Sequence, residues 1–262
     1  MRLIKTYNLF IEGVITKTDR LLEPKMENFL EKIELYHCGD HIWAVKINDS
    51  YSRAMVFLRP QEYYESAFSE IIGKQFKFSK YIDRYKQEYG KQEFTYGDDW
   101  AGFNIPSNIL EECMFNIDKD EINTYDKIML SVIHSIKEFE GEHNYYLLGV
   151  DELKNDLLKH EFAHAMFYTL PEYKNAMLKI NSECDGIIKS SIYKCITEYG
   201  YADHVLPDEF QAYMSTGLAT KMIEMNITNI EKQISIYENV FNSFYSKSLY
   251  AEPKIVKIKW NI

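Results

Sequence analysis

A chain of 262 residues that is 46% hydrophobic and 27% charged has the make-up of an ordinary globular protein, long enough for one large domain or two small ones. Its formal net charge of −10 excludes the basic stripe that a nucleic-acid surface requires, and the "KIVKIKW" run near the end is too short and too apolar to supply one. No stretch has the apolar length needed to span a bilayer, so no membrane partner is expected.

The opening "MRLIKTYNLFIEGVITKTDR" has no sustained apolar core and no small-residue cleavage site, which argues against a secretory signal. Cys38, Cys113, Cys184 and Cys195 are far apart and form no CxxC pair, as expected of reduced thiols rather than a disulfide framework. A cytoplasmic protein is the expectation, with signal-less export left open. Oligomeric state is not legible.

In chain order, "EPKMENFLEKIELY" reads as a helix with Pro24 in its first turn. "HIWAVKI" and "RAMVFLRP" read as strands separated by the turn chemistry of "NDSYS". "SKYIDRYKQEYG" is expected to be a helix opened by Ser79 and closed by Gly90. "FTYGDDWAGFNIPSNIL" combines strand and turn residues and fits an edge strand followed by a loop, or a loop folded over something. "DEINTYDKIMLSVIHSIKEFEG" reads as a long amphipathic helix ending at Gly141, and "NYYLLGV" as a short strand. "DELKNDLLKHEFAHAMFYTL" follows as a helix capped by Asp151 and ended by Pro171. Further helices are expected at about 172–197, 207–226 and 228–247, with a terminal strand in "EPKIVKIKWNI". The expected class is α+β: a mixed portion over 1–117, then a mainly helical portion over 118–262, either as two portions or as one compact domain.

One segment carries chemistry. In "KHEFAHAMFY", His160 and His164 are four residues apart, hence on one helix face, and they continue the apolar stripe of Leu153, Leu157 and Phe167. Two imidazoles in core positions cost free energy unless each finds a partner, and one metal ion would serve both. His160-Glu161-x-x-His164 is an HExxH motif. Two imidazoles on adjacent turns can bind one Zn²⁺ at about 2.0–2.1 Å, and a glutamate between them lies off the ligand axis, where it can take a proton from a bound water.

A catalytic zinc needs a third protein ligand. Phe167 and Leu170 stand where HExxHxxGxxH requires Gly and His, which excludes the metzincin arrangement. Downstream, "GYADHVLPDEFQAYMSTGLATKM" offers Asp203, His204, Asp208 and Glu209. Glu209 is favoured, because Pro207 and the periodicity of Phe210, Ala212, Met214 and Leu218 place it at a helix start. Over roughly residues 150–225 the chain resembles the gluzincins among the zincin metallopeptidases. The resemblance implies a zinc peptidase with one ion per chain, held by His160, His164 and Glu209, with Glu161 as base and a peptide or protein as substrate. Tyr213 stands where such proteins often carry an aspartate that orients a ligand histidine, so Asp208 or Asp203 is expected in that part.

An oxyanion donor is expected among Tyr213, Tyr201 and His204. "HCGDH", with His37, Cys38 and His41, lacks zinc-finger spacing and reads as a turn at a strand end, and His134 reads as a satisfied or exposed histidine. "GDDWAGFNIP" is a candidate wall for a substrate bound as an added strand, against the plainer reading of core packing. Two other functions use the same residues: an Fe(II)-dependent peptide-modifying oxygenase, and a metal-stabilised binding protein without turnover.

Overall fold

The computed structural model describes residues 29–100, 102–153, 156–198, 205–219, 230–246, 252–260 and 262. Five strands, β1 (Glu34–Gly39), β2 (Ile42–Lys46), β3 (Phe103–Pro106), β4 (Tyr146–Val150) and β5 (Lys254–Val256), form one mixed sheet in the order β3-β4-β2-β1-β5. β2 and β4 are parallel; the other pairs are antiparallel. Among the described residues nine α-helices surround the sheet: α1 (Ser50–Glu65), α2 (Phe78–Tyr89), α3 (Ser107–Phe115), α4 (Thr124–Glu140), α5 (Asp156–Thr169), α6 (Pro171–Glu183), α7 (Gly186–Glu198), α8 (Leu206–Ser215) and α9 (Ile230–Tyr245). The class is α+β. None of the described helices is long and apolar enough to cross a membrane.

Strand alternation sorts the core into two halves. Leu35, Trp43, Val45, Phe103, Ile105 and Leu147 face one side and pack with α1–α4. Ile42, Ala44, Tyr146, Leu148 and Val150 face the other and pack with α5–α9. β4 is buried along its whole length, as a strand covered on both faces must be. β4 and β5, from beyond residue 118, complete the sheet that β1–β3 begin.

Gly149 on β4 makes room for α1. A side chain there would begin 2.6 Å from the Phe57 ring, and Phe57 in turn stacks on Phe103 of β3 at 5.0 Å. The β1–β2 turn bends through Asp40 and His41, both at positive φ, as a tight hairpin with the strands' own twist requires. "HCGDH" is thus a hairpin turn, with His41 Nδ1 2.6 Å from the buried Glu140 carboxylate, which also accepts from Trp43 Nε1 at 2.8 Å.

Several expectations are corrected. "RAMVFLRP" is helix, not strand: Asp49 caps α1 by accepting from Ser52 N–H at 2.7 Å, and Ser52 to Glu62 are all buried. A helix enclosed on every side shows no amphipathic period, so its apolar run mimics a strand. The end of "EPKMENFLEKIELY" is strand β1, its earlier part up to residue 28 lying outside the described residues. Lys77, not Ser79, precedes the first turn of α2, while Gly90 ends it at φ 60°. α4 begins at Thr124, because Asn123 and Asp126 form a capping box. α5 begins at Asp156, five residues past Asp151, so Asp151 is not its cap. The stretch 172–197 is two helices, because Asp185 Oδ1 accepts from the Ile187 and Ile188 N–H groups and starts α7.

α1 is tied to α4 by an ion pair with no access to water. Arg59 donates from Nε and Nη2 to the two oxygens of Asp126, at 2.9 and 3.0 Å, and from Nη1 to the Phe76 carbonyl at 2.5 Å. Removing one partner of such a pair leaves an uncompensated buried charge. Arg59→Met should therefore lower unfolding free energy by about 3–5 kcal/mol in denaturant titration, with the double variant Arg59→Met/Asp126→Leu recovering much of the loss.

Candidate metal centre

α5 and α8 cross within the half of the core that holds α5–α9. Gln211 of α8, fully buried, donates from Nε2 to the Ala163 carbonyl of α5 at 3.2 Å and to Asp208 Oδ1 at 3.0 Å. Its Oε1 accepts from the Tyr173 hydroxyl of α6 at 2.7 Å. Asn181 of α6 donates to the Pro207 carbonyl at 3.2 Å. These bonds fix the first turn of α8, with Pro207 pre-set for it, against the middle of α5.

The result is convergence. The Nε2 atoms of His160 and His164 lie 3.1 Å apart, and Glu209 places Oε2 3.7 Å from the first and Oε1 3.7 Å from the second. Two ligands of a tetrahedral zinc at 2.0–2.1 Å stand roughly 3.3 Å apart, so this triangle encloses a position of suitable size. Among the described residues it is the group of three or more such side chains whose ligand atoms lie within 4.8 Å of one another. Glu209 Oε2 is buried with no hydrogen-bond partner, an orphaned acceptor aimed into the triangle. The donor set fits a divalent transition metal.

Asp208 has a separate part. Its Oδ1 lies 3.0 Å from His164 Nδ1, the ring nitrogen facing away from the triangle, where a carboxylate fixes the tautomer and orientation of a ligand imidazole. Tyr213 is fully buried with its ring 4.7 Å from that of His160. That setting suits a wall supporting the imidazole better than a donor facing an incoming peptide. Asp203, His204 and Tyr201 lie outside the described residues.

Glu161 is not part of this group; its carboxylate is bonded to the edge strand. Asn104 of β3 donates from Nδ2 to Glu161 Oε2 at 2.6 Å, and the Tyr146 hydroxyl of β4 donates to Asn104 Oδ1 at 2.6 Å. Gly102 lies beside the other carboxylate oxygen; a side chain there would begin 3.6 Å from Oε1. Asn104, Tyr146 and Gln211 stand within "GDDWAGFNIP", "NYYLLGV" and "DEFQAYMSTG", where the sequence alone gives none of them a role. The alternation of β3 and the i,i+3 spacing from Asp208 to Gln211 are the signals that could have found two of them.

Electrostatics separate the two imidazoles. Burial, then the neighbouring His164, push His160 down to about 3. Burial also opposes charge on His164, but Asp208 and Glu209 outweigh it and raise His164 to about 10. Glu209 is raised by burial and by Asp208, with the His164 charge opposing. Comparison of the chain with family models, curated proteins and solved structures finds no match.

Metal binding needs neutral His164, whereas the metal-free site holds it as imidazolium until pH rises toward about 10. Zinc binding near neutral pH should therefore release a proton, and apparent affinity should rise with pH across the range below that value. Calorimetry in buffers of different ionisation enthalpy measures this. Asp208→Asn should reduce proton release and weaken zinc binding about 10–100-fold.

Proposed function

We propose that this chain is a zinc-dependent metallopeptidase of the gluzincin type. The observation that carries the proposal is the convergence of His160, His164 and Glu209 from two helices, with Glu161, between the histidines, bonded to Asn104 instead. His160, His164 and Glu209 would hold the ion. A bound zinc supplies a Lewis acid that makes water acidic at neutral pH and polarises a carbonyl.

The chain's own groups do the rest. Glu161 accepts a proton from the attacking water as its oxygen bonds to the scissile carbonyl carbon. It then delivers that proton to the departing amine nitrogen as the C–N bond breaks, ending as it began. Among the described residues β3 is an edge strand, with β4 on one side only, and a peptide added along its outer edge would pass Asn104 and reach Glu161. Glu161 argues against an oxygenase, which has no use for a base at that point. Of the two further ligands a closed, non-catalytic site could use, His204 or Asp208, Asp208 turns its Oδ1 to the far nitrogen of His164, where it orients the ring.

Purified protein should contain one zinc per chain by elemental analysis and should cleave members of a peptide library, read by mass spectrometry. Glu161→Gln should keep the zinc and lose hydrolysis by about 10²–10⁴-fold or more. His160→Ala, His164→Ala and Glu209→Ala should each lose or sharply weaken zinc. Iron in place of zinc, or near-normal turnover by Glu161→Gln, would overturn the reading.

A further inference from the structure

We propose that Asn104, oriented by Tyr146, is the positioning residue for Glu161, holding its carboxylate off the metal so that one oxygen remains free to act as base. This rests on the peptidase reading. A carboxylate one residue from a ligand histidine is drawn toward a dication in the triangle, and once bound there it no longer serves as a base. Something must restrain it.

The restraint has a defined polarity. Glu161 as a carboxylate only accepts hydrogen bonds, and Tyr146 has a hydroxyl hydrogen to give. The amide of Asn104 stands between them, 2.6 Å from each. With its NH₂ toward Glu161 and its oxygen toward Tyr146 both contacts are favourable, whereas the flipped amide would set its oxygen against a carboxylate. Tyr146 therefore selects the orientation. All three side chains are more than nine-tenths buried, so water does not replace these bonds.

The sheet supplies the rigidity. In the antiparallel pairing of β3 with β4, Asn104 is opposite Leu148 and Pro106 is opposite Tyr146. Asn104 and Tyr146 are thus diagonal neighbours on the face toward α5, within side-chain reach. Oε2 of Glu161 is occupied by Asn104, so Oε1 is the working oxygen. Gly102, two residues before Asn104, lies beside that oxygen, with a Cβ there 3.6 Å from it, in ordinary contact.

A double-mutant cycle on the zinc-loaded full chain tests the assignment. Asn104→Ala should keep its zinc, lower kcat about 10–100-fold and leave KM unchanged, and in the Glu161→Gln background it should cause no further loss. Tyr146→Phe, which keeps the ring in place and removes only the hydroxyl, should lower kcat in the same direction by less. It carries the test if Asn104→Ala does not fold. Unchanged kcat in both variants would overturn the proposal. So would a rise in KM alone, or a full additional loss on top of Glu161→Gln, because Asn104 would then be acting on the substrate directly. Near-normal turnover by Glu161→Gln alone sinks the peptidase reading instead, and that measurement is independent of Asn104.

Discussion

Two imidazoles buried 3.1 Å apart are the constraint around which this half of the molecule is built. Both are buried, so the surrounding chain has to provide for both. It does so unequally. His164 is given two carboxylates, one on each side of its ring, whereas His160 is given an aromatic wall and kept neutral. The entry of α8 follows from this need, because Asp208 and Glu209 are effective only if the first turn of α8 meets the middle of α5. Gln211 secures that meeting with three hydrogen bonds to three partners.

The other half of the core bears on where the cluster sits. α1 is buried on every side, bound to α4 through Arg59 and Asp126, and pressed by Phe57 into the space left by Gly149. Through that contact the helices of one face set the height of β4 and β3, and so the position of Asn104 on the opposite face. Side chains successive along β3 thus serve different ends: Phe103 belongs to packing and Asn104 to the site.

What the sequence makes legible follows from how local each signal is. His160, Glu161 and His164 are legible because one helix fixes their geometry over five residues. Glu209 is legible with help from Pro207, which marks a helix start, and Asp208 follows as its neighbour. Asn104 is not legible as a partner of Glu161, since the link depends on the pairing register of two strands 42 residues apart, between Asn104 and Tyr146. The misreading of "RAMVFLRP" has a different origin: periodicity reports a boundary between water and core, and α1 has no such boundary. The α+β class survives these local errors because it depends on the proportion of elements rather than on their limits.

Gly149 has a consequence of a mechanical kind. The residue that pairs with Phe103 in the β3–β4 ladder is Gly149 itself, so Phe57 rests on a two-strand step with a missing side chain in it. Filling that gap, even with a methyl group, would push the aromatic stack outward and lever β3 about its edge. The edge strand that carries Asn104 is thus tied to the bulk of a residue that neither belongs to the histidine cluster nor faces it.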